Sequence, residues 1–315
     1  MESKEFKKLL KFNGNNSEYI GLRIINNILT VLTLGLYYPW SKAANSKYLY
    51  SETEFMETRF VFHGTGKEMF KGFLKAIGIF IGLYVILIVF FLLKLPILGV
   101  LIYFISIFLM IPLIIHSSNK YRLSRTSWRG IHFGYRGILK EFMKLYFVNI
   151  LLTAITAGIY SSWMQVNISS FIRGNSRFGN IEFKFIGKGL DLFLLKLKGI
   201  FLMVITLGIY SFWYFKNLIA FEIDNTKMIQ NGKEINLRST MTGGQIFGLF
   251  ITNYLIIIFT LGIGTGIAIN RSLRIVMQNI EFDSEIDAES LIQTEEEYKN
   301  ATGDDLAGVF DISIF

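Results

Sequence analysis

The stretch TLGIYSFW, residues 206–213, recurs as TLGLYYPW at 33–40, as TAGIYSSW at 156–163 and, in a fading copy, as TLGIGTGI at 260–267. Each copy lies inside one of the most apolar parts of the chain, and self-similarity of this kind marks a repeated supersecondary unit. The phrase either kinks one long helix or turns the chain back on itself, and the choice decides the fold. Its recurring residues are Thr33, Gly35, Tyr37 and Trp40; Thr156, Gly158, Tyr160 and Trp163; Thr206, Gly208, Tyr210 and Trp213; and Thr260 and Gly262. Glycine is the usual residue just past a helix end because it accepts the left-handed conformation. Tyrosine and tryptophan beyond it favour a membrane–water interface.

The surroundings call for a bilayer. The chain has 315 residues, of which 52% are hydrophobic and only 18% charged, with a mean hydropathy of +0.44. Uncharged runs of 18 residues or more point to membrane helices. Here they are Ile24–Ser41, Ala76–Leu93, Leu95–Ile115, Leu145–Met164 and Ile246–Asn270, with Gly199–Phe215 slightly shorter. The first run begins only after Arg23 and has no small-residue cleavage site, so the basic start MESKEFKKLLKF is expected to remain uncleaved.

Between the apolar phrases lies a second repeat, more polar: ETRFVFHGTG at 57–66, RGIHFGYRG at 129–137, NIEFKFIGKG at 180–189 and, more weakly, EINLRSTMTGG at 234–244. Ile181, Phe183 and Phe185 alternate with Glu182 and Lys184, the period of a half-buried strand. An Asn-Gly pair at 231–232 between apolar residues predicts a type I′ hairpin. These boxes therefore read as short β-hairpins. Helical pairs are expected at about 20–50, 67–119, 138–173, 188–223 and 244–279; the second lacks the phrase and turns at Lys94-Leu95-Pro96.

Charge separates kink from hairpin, because cytoplasmic loops collect Lys and Arg. If each apolar block crossed once, with the basic N-terminus inside, loops 40–72, 116–140 and 214–245 would lie outside carrying 5, 6 and 4 basic residues. If each phrase turns the chain back, every basic loop and both termini fall on the cytoplasmic side and only Lys94 is outside. The expected architecture is therefore a mainly α-helical polytopic membrane protein. A basic N-terminus (1–19) precedes a membrane domain of repeated helical hairpins with cytoplasmic β-hairpins (20–280) and an acidic tail (281–315). Residues 281–315 carry 11 acids against one lysine, while the rest of the chain carries a net charge of +18. The tail ends in an apolar cluster, Val309, Phe310, Ile312, Ile314 and Phe315, which either docks or stays in solvent.

Polar residues repeat within the arms. Asn26, Asn149 and Asn253 each stand seven residues before the phrase's threonine, and Asn45, Asn167, Asn217 and Asn270 follow it by 10 to 12. Buried amides in a bilayer need partners, so these are helix-to-helix glue first and a neutral polar path second. Arg122, Arg125, Arg129 and Arg136, in a loop without acids, are candidate contacts for anionic lipid headgroups. Enzyme chemistry finds little footing: there is no cysteine, HExxH or GxSxG, and HGTGKE at 63–68 lacks the spacing of a phosphate loop. His63, His116 and His132 are more readily separate positions than one metal site. No cofactor and no nucleic-acid partner is indicated.

The run TLGLYYPWSKAANSKYLYSETEF followed by FVFHGTGKEMFKGFLKA at 33–76, with TLGIYSFWYFKNL at 206–218 and ATGDD at 301–305, resembles the YjgN family of bacterial multi-pass inner-membrane proteins of unknown function. The resemblance departs at Ala157, where the phrase has leucine, and in the fourth copy, which lacks Tyr and Trp. It implies an inner-membrane location and brings no catalytic residues. It also implies one candidate partner, a membrane-associated metallopeptidase. The function expected from all this is a non-enzymatic scaffold or regulator that binds lipid or a membrane protein, with a passive transporter or channel as the alternative.

Overall fold

A computed structural model describes residues 6–295. Five β-α-α-β units follow one another. The first is β1 (Leu10–Phe12), α1 (Asn16–Leu32), α2 (Tyr38–Ser51) and β2 (Thr53–Phe55). The second is β3 (Thr58–Phe62), α3 (Gly66–Leu92), α4 (Pro96–Ser124) and β4 (Thr126–Trp128). The third is β5 (Ile131–Tyr135), α5 (Leu139–Ile155), α6 (Ser161–Gly174) and β6 (Ser176–Phe178). The fourth is β7 (Ile181–Phe185), α7 (Gly189–Ile205), α8 (Ser211–Asp224) and β8 (Thr226–Gln230). The fifth is β9 (Lys233–Ser239), α9 (Gly243–Phe259), α10 (Thr265–Gln278) and β10 (Ile280–Phe282).

The helix lengths are identical in four units, so the repeat extends to the residue count: 17 residues going out and 14 coming back. At 1.5 Å per residue these are about 26 and 21 Å, short of the ~30 Å hydrocarbon core. In the second unit α3 and α4 have 27 and 29 residues, and these two helices are long and apolar enough to cross a membrane. Helix starts are fixed locally. Thr65 with Glu68 and Thr242 with Gln245 form reciprocal capping boxes, and the Asn15 side chain accepts from the first turn of α1.

The β boxes do not remain separate hairpins, which corrects the architecture expected from the sequence. All ten strands pair antiparallel in chain order in one sheet. Lys7 and Phe282 then exchange backbone hydrogen bonds of 2.8 and 2.9 Å, joining the chain ahead of β1 to β10 and closing the sheet. The reason is physical: a two-stranded hairpin of three- to seven-residue strands leaves both outer edges unpaired and is too small to stand alone. Pairing β1 with β2, or β3 with β4, across a whole helical hairpin satisfies those edges, and no local pattern reveals it. The helices follow the same circle, with α2 packed on α3, α4 on α5, α6 on α7, α8 on α9 and α10 on α1.

The inside of the closed sheet is filled. Trp128 and Ile181 are fully buried, packed with Phe55, Phe178, Met228, Ile235 and Phe282. The Trp128 indole donates to the carbonyls of Phe55 (3.1 Å) and Thr58 (3.0 Å), bracing the β2–β3 turn, where Met56 and Glu57 both have positive φ. The expected Asn231-Gly232 turn has φ of 50° and 79°, as type I′ requires. Glu182 and Lys184 are exposed while Ile181 and Phe185 are buried.

Residues 283–295 do not hang free as the beginning of a solvated tail. They form a strap across the sheet, with Ile286 buried in its core. Asp287 and Gln230 exchange two 2.8 Å bonds, Asn236 donates to Asp283, Thr294 donates to the Gly179 carbonyl, and Glu295 pairs with Arg136 at 2.8 Å. The apolar cluster at 309–315 and the ATGDD stretch lie outside the described residues.

Candidate functional site

At each phrase the outgoing helix ends in the same cap. The residue after the threonine has φ near 50° (Leu34, Ala157, Leu207, Leu261), and the glycine after it has φ near 90°. The glycine amide donates to the carbonyl five residues back, 2.7 Å for Gly35 to Thr30 and 2.8 Å in the other three copies. This is a Schellman closure. The threonine supplies a second brace. Its hydroxyl donates to the carbonyl four residues earlier and accepts from the amide four residues later, as in Thr206 Oγ1 to Leu202 (2.7 Å) and Tyr210 N to Thr206 Oγ1 (2.9 Å). The bonds repeat at Thr33, Thr156 and Thr260. An apolar tip thus satisfies its own backbone. The second unit makes the first half of this cap with Lys94 at φ 57°.

The tyrosine and tryptophan of the phrase stack on one another at 6.0 Å (Tyr37–Trp40), 5.8 Å (Tyr160–Trp163) and 6.2 Å (Tyr210–Trp213). Each indole then lies over the first glycine of the next unit's outgoing helix. A Cβ built on Gly66, Gly189 or Gly243 would sit 2.3–2.5 Å from the ring of Trp40, Trp163 or Trp213. Before α5, where the preceding unit lacks the phrase, and before α1, where the fifth unit's phrase lacks tryptophan, the helices begin with Leu139 and Asn16. The phrase and the polar box are therefore two halves of one packing key that locks neighbouring units together. Sequence reasoning missed these glycines, although the matching presence of Trp and glycine in successive units was the signal.

The asparagines do not converge on one site. Asn167 donates to Asn149 at 2.7 Å across the third hairpin, Asn253 to Ser272 at 3.1 Å across the fifth, and Asn270, wholly buried, to Asn16 at 3.2 Å between α10 and α1. Asn26 is buried in α1, Asn45 bonds within α2 to Ser41, and Asn217 is half-buried in α8. A second polar chain escaped notice in the sequence. Lys196 donates to Gln165 (2.8 Å), Gln165 to Glu222 (2.9 Å), and Arg173 pairs with Glu222 (2.8 Å), tying α6, α7 and α8.

The four candidate headgroup arginines separate. Arg125 is buried and paired with Glu68 at 3.2 Å, Arg136 pairs with Glu295 in the strap, and Arg129 lies over Trp128 and donates to Thr58. Arg122 instead lines a cavity of about 310 Å3 together with Arg23, Lys42, Asn27 and Asn45. The histidines divide too. The rings of His63 and His132 are 4.9 Å apart, while His116 shares a hydrogen bond with the Gly137 carbonyl. Partial burial first, and then the neighbouring His132 and Arg125, hold His63 below the usual histidine range. Among the described residues no group of three or more His, Asp or Glu side chains is placed to hold a metal ion.

These features define a class of protein: five helical hairpins on a closed ten-stranded sheet, with two helices of membrane-spanning length. The chain belongs to the family described as "Bacterial protein of unknown function (DUF898)", whose model matches residues 7–185 and 218–309. It is similar to the inner membrane protein YjgN of Escherichia coli strain K12, 26% identical over 51% of this chain and 40% of that protein. It is also similar to the inner membrane protein YjgN of Salmonella typhimurium, 28% identical over 40% of this chain and 31% of that protein. The matches thus cover two fifths or less of these curated relatives' own length. The resemblance carried by the repeated phrase holds. No solved structure matches the chain.

Proposed function

We propose that this protein is a non-enzymatic module of the bacterial inner membrane, a scaffold or regulator that binds lipid or a membrane-protein partner. In this reading the hairpins enter the bilayer from the cytoplasmic side. The closed sheet and both ends of the described chain stay in the cytoplasm. Only the long α3–α4 hairpin reaches the outer face, with Lys94 at its turn. The four shorter hairpins dip into the membrane and return.

The observation that carries this reading is the bareness of the tips. Leu34, Leu207 and Leu261 are 95%, 94% and 93% exposed, at the ends of helices too short to span. Leucines presented this way on successive tips form an apolar surface that belongs in hydrocarbon. The filled sheet interior and the asparagine bonds between helices favour a binding module over a neutral path through the protein. The names of the curated relatives support the membrane assignment. A membrane-associated metallopeptidase remains the partner suggested by the family resemblance.

Liposome flux tests the proposal. Vesicles containing the full chain are expected to retain potassium and a small fluorescent dye as well as empty vesicles do. A flux that appears with the protein and changes with Asn149→Ala in a folded sample would overturn it in favour of a passive path.

A further inference from the structure

Two of the three histidines, far apart in sequence, are brought together by the closed sheet. β4 pairs with both β3 and β5, so Val61, Ser127 and His132 lie side by side across three strands, while Trp128 turns into the core. His63 continues β3 by one residue, its amide donating to the Arg125 carbonyl at 2.7 Å. By the alternation of strand side chains it shares the outer face with Val61. The His63 and His132 rings are 4.9 Å apart and tilted by 37°. His63 is exposed and His132 half-buried, so solvent reaches the pair.

That spacing suits a shared ion. Two imidazoles that each place a nitrogen about 2.0–2.1 Å from one metal have ring centroids roughly 4.5–5 Å apart. His63 Nε2 also shares a 2.7 Å hydrogen bond with Ser127 Oγ. With the Nε2 proton given to Ser127, Nδ1 keeps its lone pair for a ligand, and a bond of this kind to the second nitrogen is what orients a ligating ring. The His132 ring makes no hydrogen bond among the described residues; its backbone amide donates to Gln293 of the strap at 2.8 Å. Arg125 and Lys47 are cationic neighbours of His63, and Arg125 is paired with Glu68. Cations nearby keep any bound ion weakly held and disfavour magnesium and calcium, which need oxygen ligands. Imidazole nitrogens suit copper, nickel and zinc.

We propose that His63 and His132 bind a divalent transition-metal ion of the copper and zinc class, with water completing its coordination and Ser127 positioning His63. The ion clamps the foot of the long hairpin, just ahead of α3, to β5 and the strap that β5 carries. The site goes beyond the membrane reading above and does not rest on it.

The full chain, purified in a neutral detergent without a histidine tag and stripped with a chelator, is titrated with copper(II) alone. Calorimetry reads the affinity and pulsed electron paramagnetic resonance counts the imidazoles on the ion. One equivalent is expected to bind with a Kd of about 1–10 μM and the nitrogen modulation of two imidazoles. Zinc(II) should compete and magnesium should not. His63→Gln and His132→Gln should each weaken binding at least about tenfold and abolish the two-imidazole signal. Ser127→Ala should weaken binding about tenfold yet keep both imidazoles, as a positioning role requires. If His132→Gln does not fold, His63→Gln, at an exposed position, carries the same expectation. No saturable binding below about 100 μM, a single imidazole in the parent, or unchanged affinity in folded His63→Gln would overturn the proposal. Ser127→Ala as tight as the parent would overturn the part given to Ser127. Each of these failures leaves the membrane reading intact, since cysteine labelling tests the topology independently.

Discussion

Replacing Gly189 with alanine places the packing key under direct test. The added Cβ would lie 2.3 Å from Trp163 Cδ1, 2.4 Å from Cγ and 2.7 Å from Nε1. Carbon pairs prefer about 3.5 Å or more, so the ring or the start of α7 must move by roughly 1 Å. Overpacking of this kind costs about 1–3 kcal/mol. Alanine's helix propensity returns at most about 1 kcal/mol, and less at a first helical position. The net expectation is a loss of about 1–2 kcal/mol. Unfolding in mixed micelles of neutral detergent and sodium dodecyl sulfate, followed by tryptophan fluorescence, measures it. Gly248→Ala in α9 is the control: nothing lies within 4 Å of the new methyl, and the change should stabilise by up to about 1 kcal/mol. In a Trp163→Leu background the Gly189→Ala penalty should largely vanish, giving a coupling of about 1 kcal/mol or more. A Gly189→Ala variant as stable as its parent, or a penalty unchanged by Trp163→Leu, would refute the reasoning.

Substitutions at three further positions use the same assay. Thr206→Val removes the acceptor for the Tyr210 amide in an apolar tip and should cost about 1–3 kcal/mol, while Thr206→Ser keeps the bond and most of the stability. Glu57→Gly relieves an exposed left-handed residue (φ 61°) and should stabilise by about 1 kcal/mol. Ile286→Ala hollows the core where the strap enters it and should cost about 2–5 kcal/mol; a loss near zero would mean that the strap does not contribute to the folded sheet.

Much of the helical layer was legible. The phrase placed four turns, Lys94-Leu95-Pro96 placed the fifth, and the expected pairs at 138–173 and 188–223 differ from the observed helices by one residue at each end. Local chemistry explains this success, because a helix end and its cap are written in consecutive residues. The closed sheet was not legible for the opposite reason. Phe12 pairs with Thr53 and Phe62 with Thr126, across dozens of residues of hairpin, and nothing in either segment names its partner. The candidate sites fared similarly. Asn149 and Asn167 are partners across one hairpin, within reach of a spacing argument, but the cavity draws Arg23, Lys42 and Arg122 together from three helices. The loop rich in arginine misled because Arg125 and Arg136 find carboxylates, Glu68 and Glu295, far away in sequence.

The most direct test of the account is topological, and the absence of native cysteine makes it clean. Single cysteines at Leu95, Leu207 and Lys233 are labelled in intact cells with a membrane-impermeant maleimide, and again after permeabilisation. The account predicts labelling of Leu95→Cys from outside, labelling of Lys233→Cys only after permeabilisation, and none of Leu207→Cys in either state, because its exposed tip lies in hydrocarbon. Labelling of Lys233→Cys in intact cells would place the closed sheet on the outer side of the membrane and contradict the account.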